Sequence, residues 1–425
     1  MTAENKNNVI AKQTVIANGV KQSANKKEIA SAKKLRNDVR VPKLRFNEFE
    51  GEWEKKKLGD IGKVKMCKRI FSSETTETGD IPFYKIGTFG KKPDAFITKK
   101  LYKNYRERFS FPKIGDILMS ASGTLGRTVV YDGVEAYFQD SNIVWIDNNE
   151  ELITNSFLFY IYQIVKYDSE GGTIQRLYNS IINRTKFSKP NLPEQQKIAT
   201  FLTAVDTKIQ QLTTKKEYLE NYKKGVMQQL FSQQLRFKND DGLDFPDWEE
   251  KKLGEVSIIT MGQSPDSKSY NEKEEGTFLI QGNADIKGRI TSPRQWTSEP
   301  TKTCEIGDLI LTVRAPVGSI AKSLHNACIG RGVCSIKNNN HSNIEYLYQF
   351  LLSYELKWIG LEQGSTFTAV SGKDIKSLKS PFPSLKEQQK IANYLSAIDI
   401  KIENVQTQIE KTQAFKKGLL QQMFV

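Results

Sequence analysis

A chain of 425 residues with 38% hydrophobic content is long enough for two cores and too apolar for a disordered polymer. The formal net charge is +14, yet residues 1–45 carry eight Lys and three Arg against Glu4, Glu28 and Asp38, so the remaining 380 residues hold only +6. A polyanion held by the folded part must therefore meet local patches and not a bulk positive field. No apolar run approaches the roughly 20 residues of a membrane-spanning helix. The first residues lack the apolar stretch of a signal peptide, and four cysteines without a CxxC pair suit reduced thiols, so a cytoplasmic location is expected.

In chain order, residues 1–45 form a basic extension, either a flexible tail or a loosely helical arm. A first globular domain is expected at 46–190, entered through FNEFEGEWEKKKLGDIG at 46–62. Short β-branched and aromatic runs (IPFYKIG, TVVYD, NIVWI) divided by Gly, Pro, Asp and Asn predict short strands with long loops, and SFLFYIYQIVKY at 156–167 predicts a helix packed on them. A long helix follows at 191–232. A second globular domain at 240–383 repeats the plan. DFPDWEEKKLGEVS at 244–257 matches the first entrance, IGDLI at 306–310 matches IGDIL at 114–118, and IEYLYQFLLSYELKWI at 344–359 predicts its packing helix. A second long helix closes the chain at 384–425.

The two long helices are the strongest signal. EQQKIATFLTAVDTKI at 194–209 returns as EQQKIANYLSAIDIKI at 387–402, and KKGVMQQLF at 223–231 returns as KKGLLQQMF at 416–424. The offset is 193 at both ends, and 19 of the 38 aligned positions are identical. A duplicated unit of globular segment plus helix explains this. Asn191 with Glu194, and Ser384 with Glu387, read as helix-start capping pairs. Ile198, Leu202, Val205, Ile209 and Leu212 in one helix, and Ile391, Leu395, Ile398, Ile402 and Val405 in the other, follow a heptad seam that calls for a partner helix. Equivalent units pairing through equivalent surfaces put the helices antiparallel. A 38-residue helix spans about 57 Å, which would make the pair a spacer between two domains. Lys216 and Lys223 interrupt the seam, and Gly225 and Gly418 mark either kinks or docking places. The fold class expected is mixed α/β (α+β), with a pseudo-two-fold internal repeat.

Catalytic patterns are missing. The chain has two histidines, His325 and His341, both in the second copy, and no phosphate-binding glycine loop. His325, Cys304, Cys328 and Cys334 match no common zinc spacing, so no metal site is expected. Pro265 and Asp266 with Asp285, Ile286 and Lys287 fit a loose nuclease pattern that has no counterpart in the first copy. What the diverged segments do carry is polar loops beside glycines. The candidates for contact with DNA bases or phosphates are Lys68, Arg69, Ser122, Arg127, Gln139, Asn142 and Arg176 in the first copy. In the second they are Gln263, Ser264, Gln281, Asn283, Arg289, Arg314 and Arg331. Arg and Lys suit guanine, Asn and Gln suit adenine, and Ser suits either. Two unlike reading heads on one spacer fit a DNA site in two parts.

The duplicated EQQKIA and KKG helix segments, the WEKKKLG and WEEKKLG entrances, the IGDIL and IGDLI strands and GQSP at 262–265 together resemble the specificity subunits of Type I restriction–modification systems. The resemblance covers the chain beyond residue 45. It implies two target-recognition domains joined by two conserved helices that form an antiparallel coiled coil, and a DNA-binding chain without catalysis or cofactor of its own. Partner modification subunits, two of them, would bind S-adenosylmethionine, and restriction subunits would use ATP and Mg²⁺. The other readings are a structural coiled-coil adaptor without DNA readout and a self-contained nuclease.

Overall fold

The computed structural model of the protein describes residues 20–22, 41–167, 176–363 and 369–425. Most of the basic extension, and residues 168–175 just before the candidate Arg176, lie outside the described residues. The chain divides into two compact units, residues 1–211 with 409–425 and residues 212–408. Each unit therefore takes one part of each long helix.

The first unit is built on an antiparallel sheet in the order Gly62–Lys65, Ile143–Asn148, Ile117–Ser120, Thr128–Val130. Ile117–Ser120 is buried at every position, which is why this strand reads as a continuous apolar run and not as an alternation. A three-stranded sheet, Phe96–Ile97, Ile81–Tyr84, Tyr137–Phe138, adds a parallel pair, with Phe83 opposite Tyr137. The expected packing helix runs from Asn155 to Ile164 and buries Phe157, Leu158, Tyr160, Ile161 and Tyr162. Leu419, Met423 and Phe424 from the second long helix complete this core, and the Phe424 ring lies 6.0 Å from Trp53 and 5.4 Å from Phe157.

The second unit repeats the plan with larger sheets. Ser257–Met261, Val333–Asn338, Leu309–Thr312 and Ile320–Lys322 stand in the order of their counterparts, extended by Ile290–Thr291 and Ile286–Lys287. The parallel pair recurs between Thr277–Ile280 and Ala327–Ile329. The packing helix is Ile344–Gln363. A mixed α/β fold with an internal repeat is thus what the chain adopts.

The long helices are Leu192–Phe231 and Leu385–Gln422, of 40 and 38 residues. Ile198, Leu202, Leu212, Ile391, Leu395, Ile398 and Val405 of the seam are buried, and Val205, Ile209 and Ile402 are half-buried. In the first unit Asp206 meets Lys416 at 2.7 Å, and in the second unit Asp399 meets Lys223 at 2.7 Å. The beginning of each helix thus lies beside the end of the other, which is the antiparallel pairing the heptads call for. Lys223 interrupts the apolar seam because it carries this ion pair. Lys216 instead pairs along its own helix with Glu220 at 3.5 Å. Neither Gly225 nor Gly418 breaks its helix, and a Cβ at either would meet nothing within 4 Å.

Two glutamates serve differently from the capping role their spacing suggests. Asn191 does cap, its Oδ1 accepting from the Glu194 amide at 3.0 Å. The Ser384 hydroxyl, however, is buried without a partner among the described residues, so the capping box expected with Glu387 does not form. Both carboxylates are drawn to stronger donors. Arg45 donates from Nε and Nη2 to the two oxygens of Glu194 at 2.8 and 2.7 Å, and Trp53 Nε1 donates at 3.4 Å. Arg236 does the same to Glu387 at 3.1 and 2.9 Å, with Trp248 Nε1 at 3.0 Å. Both glutamates are fully buried, and a buried charge is tolerated only when paired and hydrogen-bonded in this way. Each arginine also donates to two backbone carbonyls, those of Glu50 and Gly51 or of Phe245 and Pro246. Arg45, the last residue of the basic extension as bounded from sequence, is thus tied into the first unit.

The neighbouring glutamines make the second joint. Gln195 donates to the carbonyls of Leu152 and Pro190 at 3.1 and 2.9 Å and accepts from the Thr154 amide at 3.0 Å. Gln388 donates to those of His341 and Pro383 at 3.1 and 2.9 Å and accepts from Asn343 at 2.8 Å. Each glutamine so fixes the start of its unit's packing helix against its long helix.

Candidate nucleic-acid interface

In both units the loops with the greatest sequence difference emerge from the same end of the main sheet, on the same framework. The hairpin between Ile117–Ser120 and Thr128–Val130 closes through Ser120, whose hydroxyl donates to Thr124 O at 2.5 Å and accepts from the Arg127 amide at 2.9 Å. Thr312 does this in the second unit, donating to Pro316 O at 2.7 Å and accepting from the Ser319 amide at 2.9 Å. At the other end of these hairpins Asp116 and Asp308 accept from the amides of Lys113 and Glu305 at 2.8 and 2.9 Å. Burial raises the pKa of both carboxyls above the usual range.

Two further segments flank each hairpin loop. Ala121 donates to Asn142 O and Leu177 to Ala121 O, at 2.7 and 2.8 Å; Val313 donates to Gly332 O and Val370 to Val313 O, both at 2.9 Å. The backbone of the loop cluster is therefore shared, while its side chains are not. In the first unit Ser122 donates to Asn142 Oδ1 at 2.9 Å, and Arg176 bridges to Ser122 through the backbone with its guanidinium over the Tyr178 ring at 5.9 Å. Lys68 is exposed over Phe109, and Arg69 is exposed and paired with Asp140 at 2.9 Å. In the second unit Gln263, Ser264, Gln281 and Arg331 gather round the glycines at 262, 330 and 332. A Cβ at Gly262 would stand 2.1 Å from Gly330 O, and one at Gly332 2.1 Å from Gln281 O, so only glycine lets these backbones approach. Ser264 Oγ accepts from the Arg331 amide at 3.2 Å, leaving the exposed Arg331 side chain at the rim with Arg314 and Gln263. Asn283 is exposed on the turn after Gln281.

Four of the candidates commit their side chains to partners within their unit, Arg127, Gln139 and Gln281 half-buried and Arg289 exposed. Arg127 donates to Ile86 O at 3.3 Å and lies over the Phe89 ring, and Gln139 Oε1 accepts from the Ile86 amide at 2.9 Å. Gln281 Nε2 donates to Gln295 Oε1 at 3.2 Å. Arg289, at φ +70°, makes a two-pronged ion pair with Glu355 and stands apart from the loop cluster. These partners lie far away in sequence, which is why residue type and neighbouring glycines did not separate them from the exposed candidates. Tyr178 was missed. Half-exposed beside Arg176, it offers a ring edge at the cluster, and an Arg-Leu-Tyr run was the signal available. The residues of the nuclease pattern do not assemble. Asp285 is buried against Arg294 at 3.0 Å and accepts from the Gln281 amide, while Asp266 caps a turn by accepting from the Lys268 amide.

The family model of the Type I restriction modification DNA specificity domain matches this chain twice, over residues 50–221 and 246–413. A type I restriction enzyme MjaX specificity subunit of Methanocaldococcus jannaschii is 31% identical over 404 residues, covering 89% of this chain and 94% of that protein. A type I restriction enzyme specificity subunit of Haemophilus influenzae is 56% identical over 157 residues, and that match spans 37% of this chain and 41% of the relative. Among solved structures, the S subunit of a Type I restriction–modification system from M. genitalium superposes with a TM-score of 0.58 at 17% identity, covering 91% of this chain and 99% of that one. A chain from a type I R-M system studied for complex assembly gives 0.54 at 24%, covering 88% and 97%. With both globular segments matched and the internal repeat visible in the structure, the chain belongs to the family of Type I restriction–modification DNA specificity subunits.

Proposed function

We propose that this chain reads a DNA target in two parts, one half with the loop cluster of each unit, and that it brings no catalysis of its own. The observation that carries the reading is the shared backbone of the two clusters with unlike side chains: one scaffold, two chemistries. Base edges in the major groove differ in their donor and acceptor pattern, so Arg331, Arg314 and Gln263 would select other bases than Ser122, Asn142 and Arg176. The matched family supports an assembly with modification and restriction subunits. Two modification subunits would bind S-adenosylmethionine and methylate the target, restriction subunits would bring ATP and Mg²⁺, and the complex would act in the cytoplasm.

The test is methylation in vitro. The purified chain with S-adenosylmethionine and plasmid DNA should give no methylated base. Adding the modification subunit should give methylation at one sequence of two separated parts. Methylation or cleavage by this chain alone, or methylation at a single uninterrupted sequence, would overturn the reading.

A further inference from the structure

Apart from its main sheets, each unit has a two-stranded antiparallel ribbon, Glu54–Lys57 with Lys186–Lys189 in the first and Glu249–Lys252 with Lys379–Phe382 in the second. Lys57 stands directly opposite Lys186, and Lys252 directly opposite Lys379. All four are exposed. Like charges set directly across a strand pair weaken it. Among the described residues no carboxylate pairs with the side-chain amines of Lys57, Lys186 or Lys252, although the amides of Lys57 and Lys252 donate to Asp60 and Glu255 at 2.7 and 2.9 Å, and the Lys379 amine meets only the exposed Glu250 at 3.1 Å. Of the other ribbon positions, Glu54 and Lys56 recur as Glu249 and Lys251, and the rest differ. Lys55 in one copy corresponds to Glu250 in the other, and Ser188 to Pro381. An unfavourable pair thus recurs in both copies, and an external anion would offset it.

The second ribbon borders a hollow lined by Lys252, Gly372, Lys373, Lys376 and Ser377, with no acidic side chain in its wall. Gly372 sits against Met261, where a Cβ would come within 2.8 Å of the side chain. Met261 leads straight into the loop 262–265 of the interface. In the second unit the hollow therefore reaches from the ribbon to the strand end that enters the loop.

We propose that the opposed lysines of each ribbon grip the phosphate backbone of the duplex whose bases that unit's loops read. Lys57 and Lys186 would do so in the first unit, and Lys252 and Lys379, extended by Lys373 and Lys376, in the second. The inference rests on the DNA-reading function and adds to it a contact that is blind to sequence. Phosphate contacts set position and affinity, and base contacts set specificity. DNA is favoured over an acidic protein partner because the second unit's hollow runs from its lysines toward its loops and the opposed lysines recur in both units, as a repeating backbone requires.

The experiment measures binding of the full-length chain across a salt series, by fluorescence anisotropy, to a labelled random-sequence duplex and to a duplex carrying the methylated target. The variants are K57Q/K186Q and K252Q/K379Q, with K57R/K186R and K252R/K379R as controls. Each Gln pair should lower the steepness of log K against log salt by about 2 on both duplexes. It should leave the target-to-random ratio unchanged and should not lower Tm, and the Arg pairs should keep the wild-type slope. Unchanged slopes in both Gln pairs overturn the proposal, and so does a loss confined to association with the modification subunit. A wild-type chain without preference for its target, assayed with the modification subunit, would instead sink the DNA-reading function, and the slope on random duplex would still judge the ribbons.

Discussion

The first and second units are the same machine below the loops and different machines at the loop tips. Glu194 with Arg45 and Trp53 has its twin in Glu387 with Arg236 and Trp248, and Gln195 has its twin in Gln388, bond for bond. At the tips, Ser122 paired with Asn142 has no twin in Arg314 beside Gly332. The difference separates two kinds of constraint. Joints between sheet and long helix tolerate one solution, because each is buried and saturated with hydrogen bonds. Tips face outward and are free to vary as long as the backbone beneath them closes.

The comparison can be broken at several depths. The largest effect is expected from Glu194→Ala or Glu387→Ala, each of which leaves an arginine and a tryptophan N–H without their acceptor. A loss of about 3–5 kcal/mol in urea unfolding is expected for either. Clearly unequal losses would show that the two joints are not equivalent. Gln195→Ala and Gln388→Ala strand three backbone groups apiece, with the bonds to Pro190 and Pro383 buried, and about 2–3 kcal/mol is expected in the same measurement. Hydrogen exchange should place the opening at the start of Asn155–Ile164 in one case and Ile344–Gln363 in the other.

The tips answer to a different assay. Arg331→Ala or Arg314→Ala should cost about 1–3 kcal/mol in target binding and relax one base position in a single half of the site, with unfolding unchanged. Arg127→Ala and Arg289→Ala should do the reverse, lowering stability and leaving base preference intact. A shift of preference by Arg289→Ala would return that residue to the interface. The smallest effect is a gain. Gly225→Ala and Gly418→Ala add a Cβ into open space near the end of each helix and should each raise stability by about 0.5–1 kcal/mol, read as a higher Tm. A fall in Tm would mean that the glycines serve a local geometry the helix requires.

Much of the architecture was legible in the sequence because repetition exposes it. The heptads and the packing helices follow from apolar spacing, whereas the strand expected at IGDIL, 114–118, begins only at Ile117 and runs to Ser120, after a turn at Ile114 and Gly115. The joints were half legible. The repeated Glu-Gln pairs were visible, but capping was the local explanation, and their real partners lie about 150 residues away at Arg45 and Arg236. The Leu-Arg-Phe triplet at 44–46 and again at 235–237 was the unused clue. Site residues were least legible. Arg289 and Arg314 are the same residue type in similar polar loops and both are exposed, and only the position of Glu355 tells the paired arginine from the other.

The way the units share the long helices also bears on synthesis. The first unit's core is closed by Leu419, Met423 and Phe424, which leave the ribosome after the whole of the second unit. Residues 41–211 must therefore wait, with Trp53 and Phe157 uncovered, while residues 212–408 are made and can already fold. The unit that is first in the gene is the last to be finished, and during that interval it is the half most in need of chaperone protection.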